Sequence, residues 1–213
     1  MKNINKNLRR LKKKSNITFK DTIYLKGVLL LIQNRNEWGS YLPILFRIHD
    51  QLSNMLTRHC KVFCVRFDFH VNPNVWTEGQ FSEFLAVSLR KVKSKYKGNH
   101  KIQKIAYVWV REHGADGLHH YHIMLAVNGN STNYPNGIAT IMWEEWQKLG
   151  HKSWHRSDSK MIKNTVDDNF KAAFKHFSYL AKIFTKDEQP VNARNYGSSQ
   201  VKSNQKIFNK LAA

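Results

Sequence analysis

The residues best suited to chemistry in this 213-residue chain are His120-Tyr121-His122. On a strand, residues two apart face the same side, so both imidazoles point together and Tyr121 points away. In the preceding apolar run, Glu112 lies opposite His120 if Val110 pairs with His122. That register gathers two imidazoles and a carboxylate on one face of adjacent strands. Such a donor set can hold one divalent cation and leave positions open for substrate oxygens. Paired histidines decorating a wet sheet face would show the same spacing. His119 falls on the opposite face and reads as structural, and His113 falls in the connecting loop.

A second strand, residues 62–71, carries Arg66, Asp68 and His70 on one face and Phe63, Val65, Phe67, Phe69 and Val71 on the other. The phenylalanine side is a core face, so the polar side is open or functional. Asp68 and His70 are accessory candidates beside a metal, and Arg66 a phosphate contact. An internal Arg66–Asp68 pair on a solvated face is the alternative.

The candidate nucleophile is Tyr179. On a helix, Phe170, Phe174, Phe177, Ala181 and Phe184 fall within about 40° of one line, which is a core stripe. Tyr179 lies about 180° from Phe170, on the side that carries Lys171, Lys175, Lys182 and Lys186. Ammonium groups favour phenolate and bind the phosphate that a phenolate attacks. Lys182, three residues on, can reach the same phosphate. A surface tyrosine on a basic helix is the alternative. If Tyr179 faces the metal, the phenylalanine stripe must pack elsewhere or the helix must lie at a sheet edge.

These residues need a frame. Leu42, Leu45, Ile48, Leu52, Met55 and Leu56 are spaced for a helix over 40–58. Strands are expected at 62–71, 103–112 and 119–127, the last two joined as an antiparallel hairpin by a loop with two glycines. Helices are expected at 77–96, opened by Thr77, at 137–149, and at 167–186, capped by an Asp or Asn at 167–169. Short strands fit 151–165. The order predicts an α+β fold, one antiparallel sheet covered by helices on one face. Residues 1–39 read as a basic arm and lead-in, 40–200 as the domain and 201–213 as a basic tail.

Composition sets the partner class. Lys plus Arg total 35 against 15 Asp plus Glu, a formal charge of +20, while 41% hydrophobic residues exclude a wholly disordered polycation. A polyanion is the natural counter-ion. Eight of the basic residues, among them Arg9, Arg10, Lys12, Lys13 and Lys14, fall within residues 1–20, as either a solubilising tail or a phosphate-seeking arm. Cys60 and Cys64 make neither a disulfide framework nor a four-ligand zinc site, as expected for a reduced cytoplasmic protein. The apolar run 28–32 is far too short to span a membrane, and no membrane partner is expected.

Taken together, the hairpin and the tyrosine helix resemble the HUH endonucleases, named for a histidine-hydrophobic-histidine strand. RFDFH, YVWVRE, HYHIMLAVNG, FSYLAK and RNYGSS, in that order, more closely resemble the inovirus-type replication initiators of filamentous phages, phage satellites and cryptic prophages. The resemblance covers roughly residues 40–200. It implies a nickase acting on single-stranded DNA at a replication origin in a bacterial host, with host helicase and polymerase as partners. It further implies Mg or Mn held by Glu112, His120 and His122. Tyr179 would form a 5′-phosphotyrosyl link that leaves a 3′-hydroxyl, with Lys182 stabilising charge. Position 175 is Lys and 183 is Ile, so a single-tyrosine cycle is implied. Arg194 and Lys186 join Arg66, Lys171 and Lys175 as DNA contacts, and Tyr196 is a DNA contact or a packing residue. Two rival readings are a non-catalytic DNA-binding regulator of a mobile element and a primase-like nucleotidyltransferase built on Asp68-Phe69-His70.

Overall fold

Within the residues described by the computed structural model, 16–33, 39–77, 79–113, 118–183 and 195–204, the elements follow in this order. They are β1 (Ile17–Thr18), β2 (Thr22–Leu25), β3 (Val28–Leu31), β4 (Ser40–Tyr41), α1 (Leu42–Leu56), β5 (Val62–His70), α2 (Gln80–Lys95), β6 (Ala106–His113) and β7 (His119–Asn128). Then come α3 (Asn136–Lys148), β8 (Ser153–Arg156), β9 (Lys160–Ile162), α4 (Asp168–Ser178), a 3₁₀ turn (Tyr179–Ala181) and β10 (Tyr196–Ser198). The fold is α+β. Its main sheet is antiparallel, with order β10-β6-β7-β5-β8, and β9 also pairs with β5. β8 and β9 share one edge of β5 with registers one residue apart, so Asp158 and Ser159 together oppose Val65 as a bulge.

The period of two along β5 and β7 sorts their side chains into two layers. Phe63, Phe67, Phe69, Tyr121, Ile123 and Leu125 are buried on one face under α2 and α3. On the other face Val62, Cys64, Met124, Ala126, the β6 residues Ala106, Val108 and Val110 and Ile162 of β9 are apolar, and α1 and α4 cover these. Helices therefore lie on both faces, not on one as the element order suggested. One face is apolar along its whole length and the other along half of it, and both need cover.

Three other expectations shift. The second helix starts at Gln80, with Gly79 as N-cap at φ 89°, a left-handed conformation suited to glycine; Thr77 stands outside as a turn residue. The last long helix keeps its cap, since Asp167 accepts from the Phe170 N–H at 2.7 Å. It stops at Ser178 rather than at 186. There the Ser178 hydroxyl donates to the Lys175 carbonyl and accepts from the Gln33 N–H, and the chain leaves to pair Lys182 with Ser40 and Ile183 with Gly39. Phe184 and Lys186 lie outside the described residues.

The packed domain also reaches further toward the N-terminus than residue 40. β2 and β3 form an antiparallel hairpin, and Leu30 and Ile32 are buried in the core beneath α1 and α4. At the other end the 201–204 segment is tied to α1, with Asn54 donating to the Val201 carbonyl and Arg58 to the Lys202 carbonyl. Leu30→Ala is expected to cost about 2–5 kcal/mol of folding stability as a core truncation. Thermal or urea unfolding checks this; a midpoint equal to wild type would make 16–33 an appended arm.

Candidate active site

Strand register builds the site. Glu112 faces His120 across β6 and β7, and His120 faces His70 across β7 and β5. One step along, Val110, His122, Asp68 and His155 form the next row across β6, β7, β5 and β8. Arg66 follows on the same face. The register expected for the histidine hairpin is the observed one. The polar half of this face begins where the cover provided by α1 and α4 ends.

His122 lies at the centre of the polar half and is buried. Its Nδ1 is 2.6 Å from Asp68 Oδ1 and its Nε2 is 3.3 Å from Glu112 Oε2. Burial alone would lower the basicity of the ring; the hydrogen bonds that Asp68 and Glu112 accept from it outweigh this and raise the pKa above the ordinary 6.5. Burial likewise pushes the Asp68 carboxyl up, and His122 and Arg66 pull it net below its ordinary value. Arg66 Nη2 is 3.1 Å from Asp68 Oδ2, so the Arg66–Asp68 pair exists but is mostly buried and joined to His122.

Tyr179 enters this cluster from the 3₁₀ turn. Phe170, Phe174 and Phe177 bury against the sheet, and the turn that follows leaves Tyr179 at the boundary between the apolar and polar halves. The phenylalanine stripe and the tyrosine thus serve the same sheet face at successive heights. The Lys182 ammonium donates to the Tyr179 hydroxyl at 2.7 Å and lies 3.8 Å from Glu112 Oε2. The Tyr179 ring meets His122 edge-on at 5.4 Å, and the Arg66 guanidinium stands 4.6 Å from its centroid. Arg66 Nε is buried with no hydrogen-bond partner among the described residues.

The donor set suits a divalent ion in part. Ligands sharing one metal at about 2.1 Å sit about 3.2 Å apart, which agrees with the 3.3 Å between His122 Nε2 and Glu112 Oε2. His120 instead packs on His70, with ring centroids 4.2 Å apart. Among the described residues no three His, Cys, Asp or Glu side chains converge as a ready metal site. Glu112 and His122 therefore fit as they stand, and His120 fits only after its ring turns from His70.

Other candidates fall further out. Lys171 is paired with Asp168 of its own helix and Lys175 is exposed, so among the described residues the cations against Tyr179 are Lys182 and Arg66. Lys186, Arg194, Arg9, Arg10, Lys12, Lys13 and Lys14 lie outside the described residues. His113 is the last residue of β6, not a loop residue, and packs edge-on against His119 at 4.5 Å. His119, on the opposite face, has its pKa lowered to about 4 by burial and by Arg111, His113 and His120. Tyr196 packs on the core from β10. Two neighbours were not read from the sequence, His155 in the Asp68 row and His176 of α4, whose Nε2 lies 2.8 Å from the Ser157 hydroxyl. Both arrive through the edge strand or a helix crossing, and no sequence spacing links them to the histidine motif.

A family model, YagK/YfjJ C-terminal domain, matches residues 24–199. Neither the curated proteins nor the solved structures yield a match. No helix among the described residues is long and apolar enough to cross a membrane.

The His122 clamp has a definite pH sign. A raised folded pKa contributes stability that is present below the unfolded value of 6.5 and lost as pH rises through the folded value. In chelator-treated protein, Asp68→Asn is expected to move the His122 titration to lower pH and to reduce that acid-side stability. NMR titration of the imidazole reads it, and an unmoved midpoint would remove Asp68 from the role.

Proposed function

The chain belongs to the YagK/YfjJ C-terminal domain family, a family found in cryptic prophage-like proteins, and on that premise we propose that it is a single-strand DNA nickase and strand-transferase. Its reaction would initiate rolling-circle replication of a mobile element through a tyrosine nucleophile. The observation that carries this reading is the Lys182 ammonium 2.7 Å from the Tyr179 hydroxyl, next to the acid-flanked His122.

The chemistry follows from charge. Arg66 and Lys182 give two cations against Asp68 and Glu112, and either a second proton on His122 or a divalent ion that takes its place on Nε2 leaves the cluster net positive. That surplus favours one phosphodiester anion. Arg66, whose guanidinium lies over the Tyr179 ring, orients a phosphoryl oxygen near the nucleophile. Lys182 holds the phenolic oxygen and stabilises it as phenolate. Tyr179 attacks phosphorus, forming one P–O bond while the P–O3′ bond breaks. The phenolic proton is given up and the 3′-oxygen gains one. The 5′-phosphotyrosyl link keeps a phosphodiester's bond energy, so a second 3′-hydroxyl can reverse the step and join strands.

Glu112 and His122, with His120 once its ring turns, would hold a divalent ion, Mg or Mn. When bound, that ion polarises the phosphoryl oxygen and neutralises developing charge. Asp68 keeps His122 Nδ1 engaged so that Nε2 faces Glu112, a second partner of the kind that orients metal-binding imidazoles. The substrate class is single-stranded origin DNA, and the 3′-hydroxyl end suits extension by host replication proteins. A regulator that only binds DNA is the competing reading, since a protonated His122 between two acids also serves a purely structural cluster.

Incubating the protein with single-stranded oligonucleotides and manganese is expected to give a protein–DNA band that survives denaturation. Tyr179→Phe should abolish the band while oligonucleotide binding persists, and EDTA should abolish it too. Lys182→Gln should slow single-turnover cleavage by about 10²–10³-fold, the scale of losing one transition-state donor. A covalent band from Tyr179→Phe, or nicking unimpaired by EDTA, would overturn the assignment. Absence of any band with wild type favours the regulator.

A further inference from the structure

Residues 90–104 hold seven basic residues and no acid. Lys91 is taken by Glu145 at 2.6 Å. Arg90, Lys93, Lys95, Lys97, Lys101 and Lys104 are exposed, and no ion pair involves them among the described residues. Six unpaired cations on one short stretch repel one another, so the stretch is stabilised by an anionic partner.

This stretch lies at the far end of the sheet from Tyr179. It runs from the last turns of α2 into β6, and the His100 carbonyl accepts hydrogen bonds from Asn128, at the end of β7, and from Ser131. From Asn128, which donates to the His100 carbonyl, to His122, which the Tyr179 ring meets, is six steps along β7, or about 20 Å, and α2 packs on the opposite face of the sheet. The patch is thus separate from the active site and can hold a different part of the same nucleic acid.

Its composition narrows the partner. Single-strand binders pair a basic groove with exposed aromatic rings on which bases stack; residues 90–104 carry no Phe or Trp, one imidazole, His100, and one Tyr, Tyr96, which is half-buried with its hydroxyl against Gly137. Membrane-surface segments need an exposed apolar face; here Val92, Ile102 and Ile105 are all buried in the core. What is left is charge without stacking or insertion, the requirement of a duplex phosphate backbone.

We propose that residues 90–104 form a second, sequence-independent site for double-stranded DNA lying beside the single-stranded segment held at Tyr179. The proposal rests on the reading of this chain as a DNA-binding protein. At 3.4 Å per base pair, about six base pairs cover the 20 Å between the two sites. The protein therefore straddles a junction, single strand at the polar end of the sheet and duplex at the basic end.

The test compares wild type with the quadruple variant Lys93→Gln, Lys97→Gln, Lys101→Gln, Lys104→Gln. All four side chains are exposed, so the fold is retained, and circular dichroism checks this. Binding is measured by fluorescence anisotropy in EDTA, across salt concentrations. The two probes are a plain single-stranded oligonucleotide and the same strand carrying a hairpin duplex of about twelve base pairs, long enough to reach past the 20 Å gap. Wild type is expected to bind the hairpin probe more tightly and with a steeper salt slope. The variant should lose that advantage, its slope on the hairpin probe falling by about 3 to 4, and keep wild-type affinity for the plain strand. An unchanged hairpin slope, or equal losses on both probes, overturns the duplex site. Covalent adduct formation on the plain strand with manganese is read alongside. Its absence from wild type would sink the nickase reading and leave the duplex comparison to stand or fall by its own slopes.

Discussion

His122 carries a carboxylate on each ring nitrogen, and the remaining contacts of the site depend on how that imidazole is held. Burying one ionisable ring against two acids is unfavourable unless each charge meets its partner at hydrogen-bond distance. Three strands must be in register for that to occur: β5 supplies Asp68, β7 the ring and β6 Glu112. A slip of one residue in either pairing would send a carboxylate to the phenylalanine face. The phenylalanine layer therefore fixes the polar layer, because the apolar residues of β5 and β7 have one favourable side and the charged ones take the other.

The second constraint is where the helical cover stops. α1 and α4 shield the apolar half of that face and stop short of the polar half, where Asp68, Glu112 and His122 are buried against one another. Ending α4 at Ser178 converts a core-packing helix into a carrier for Tyr179 within a single turn. Its end is held by contacts distant in sequence, Gln33 on Ser178 and Gly39 on Ile183. The β2–β3 hairpin and the stretch that follows it therefore belong with the site, because they fix where the helix before Tyr179 stops. Arg66 and Lys182 then approach Tyr179 from a strand and from the end of the turn, so no single element positions the cationic pair.

Much of this was legible from residue order. Alternation in 62–71 and 119–127 separated core from polar faces, and pairing of Val110 with His122 placed Glu112 opposite His120 because β-sheet register moves in steps of two. The 3.6-residue stripe of phenylalanines identified the buried side of the last helix. Other features were not legible. The hairpin at 22–31 exposes Tyr24, Leu29 and Leu31 and buries Leu30, and because it follows a basic stretch its residue order reads as part of the arm. β10 is three residues long and gains its structure only by pairing with β6. Of the lysines on the Tyr179 side, Lys171 and Lys175 stand away from it and Lys182 meets it, because helical angle says which side a residue takes and nothing of its height or its nearer partners.

Sequence alone determined the chemical inventory: which residues face together on each strand, that a tyrosine stands off a hydrophobic stripe, and that the chain carries +20. These are local consequences of periodicity and of composition. Tertiary structure decided which of those groups meet. It brought Arg66 onto the Tyr179 ring, set Asp68 against His122, turned His120 toward His70 and carried residues 90–104 to the opposite end of the sheet. Each is a contact between elements far apart in the chain, and such contacts are set by packing two apolar layers against one sheet, a requirement that no single segment encodes.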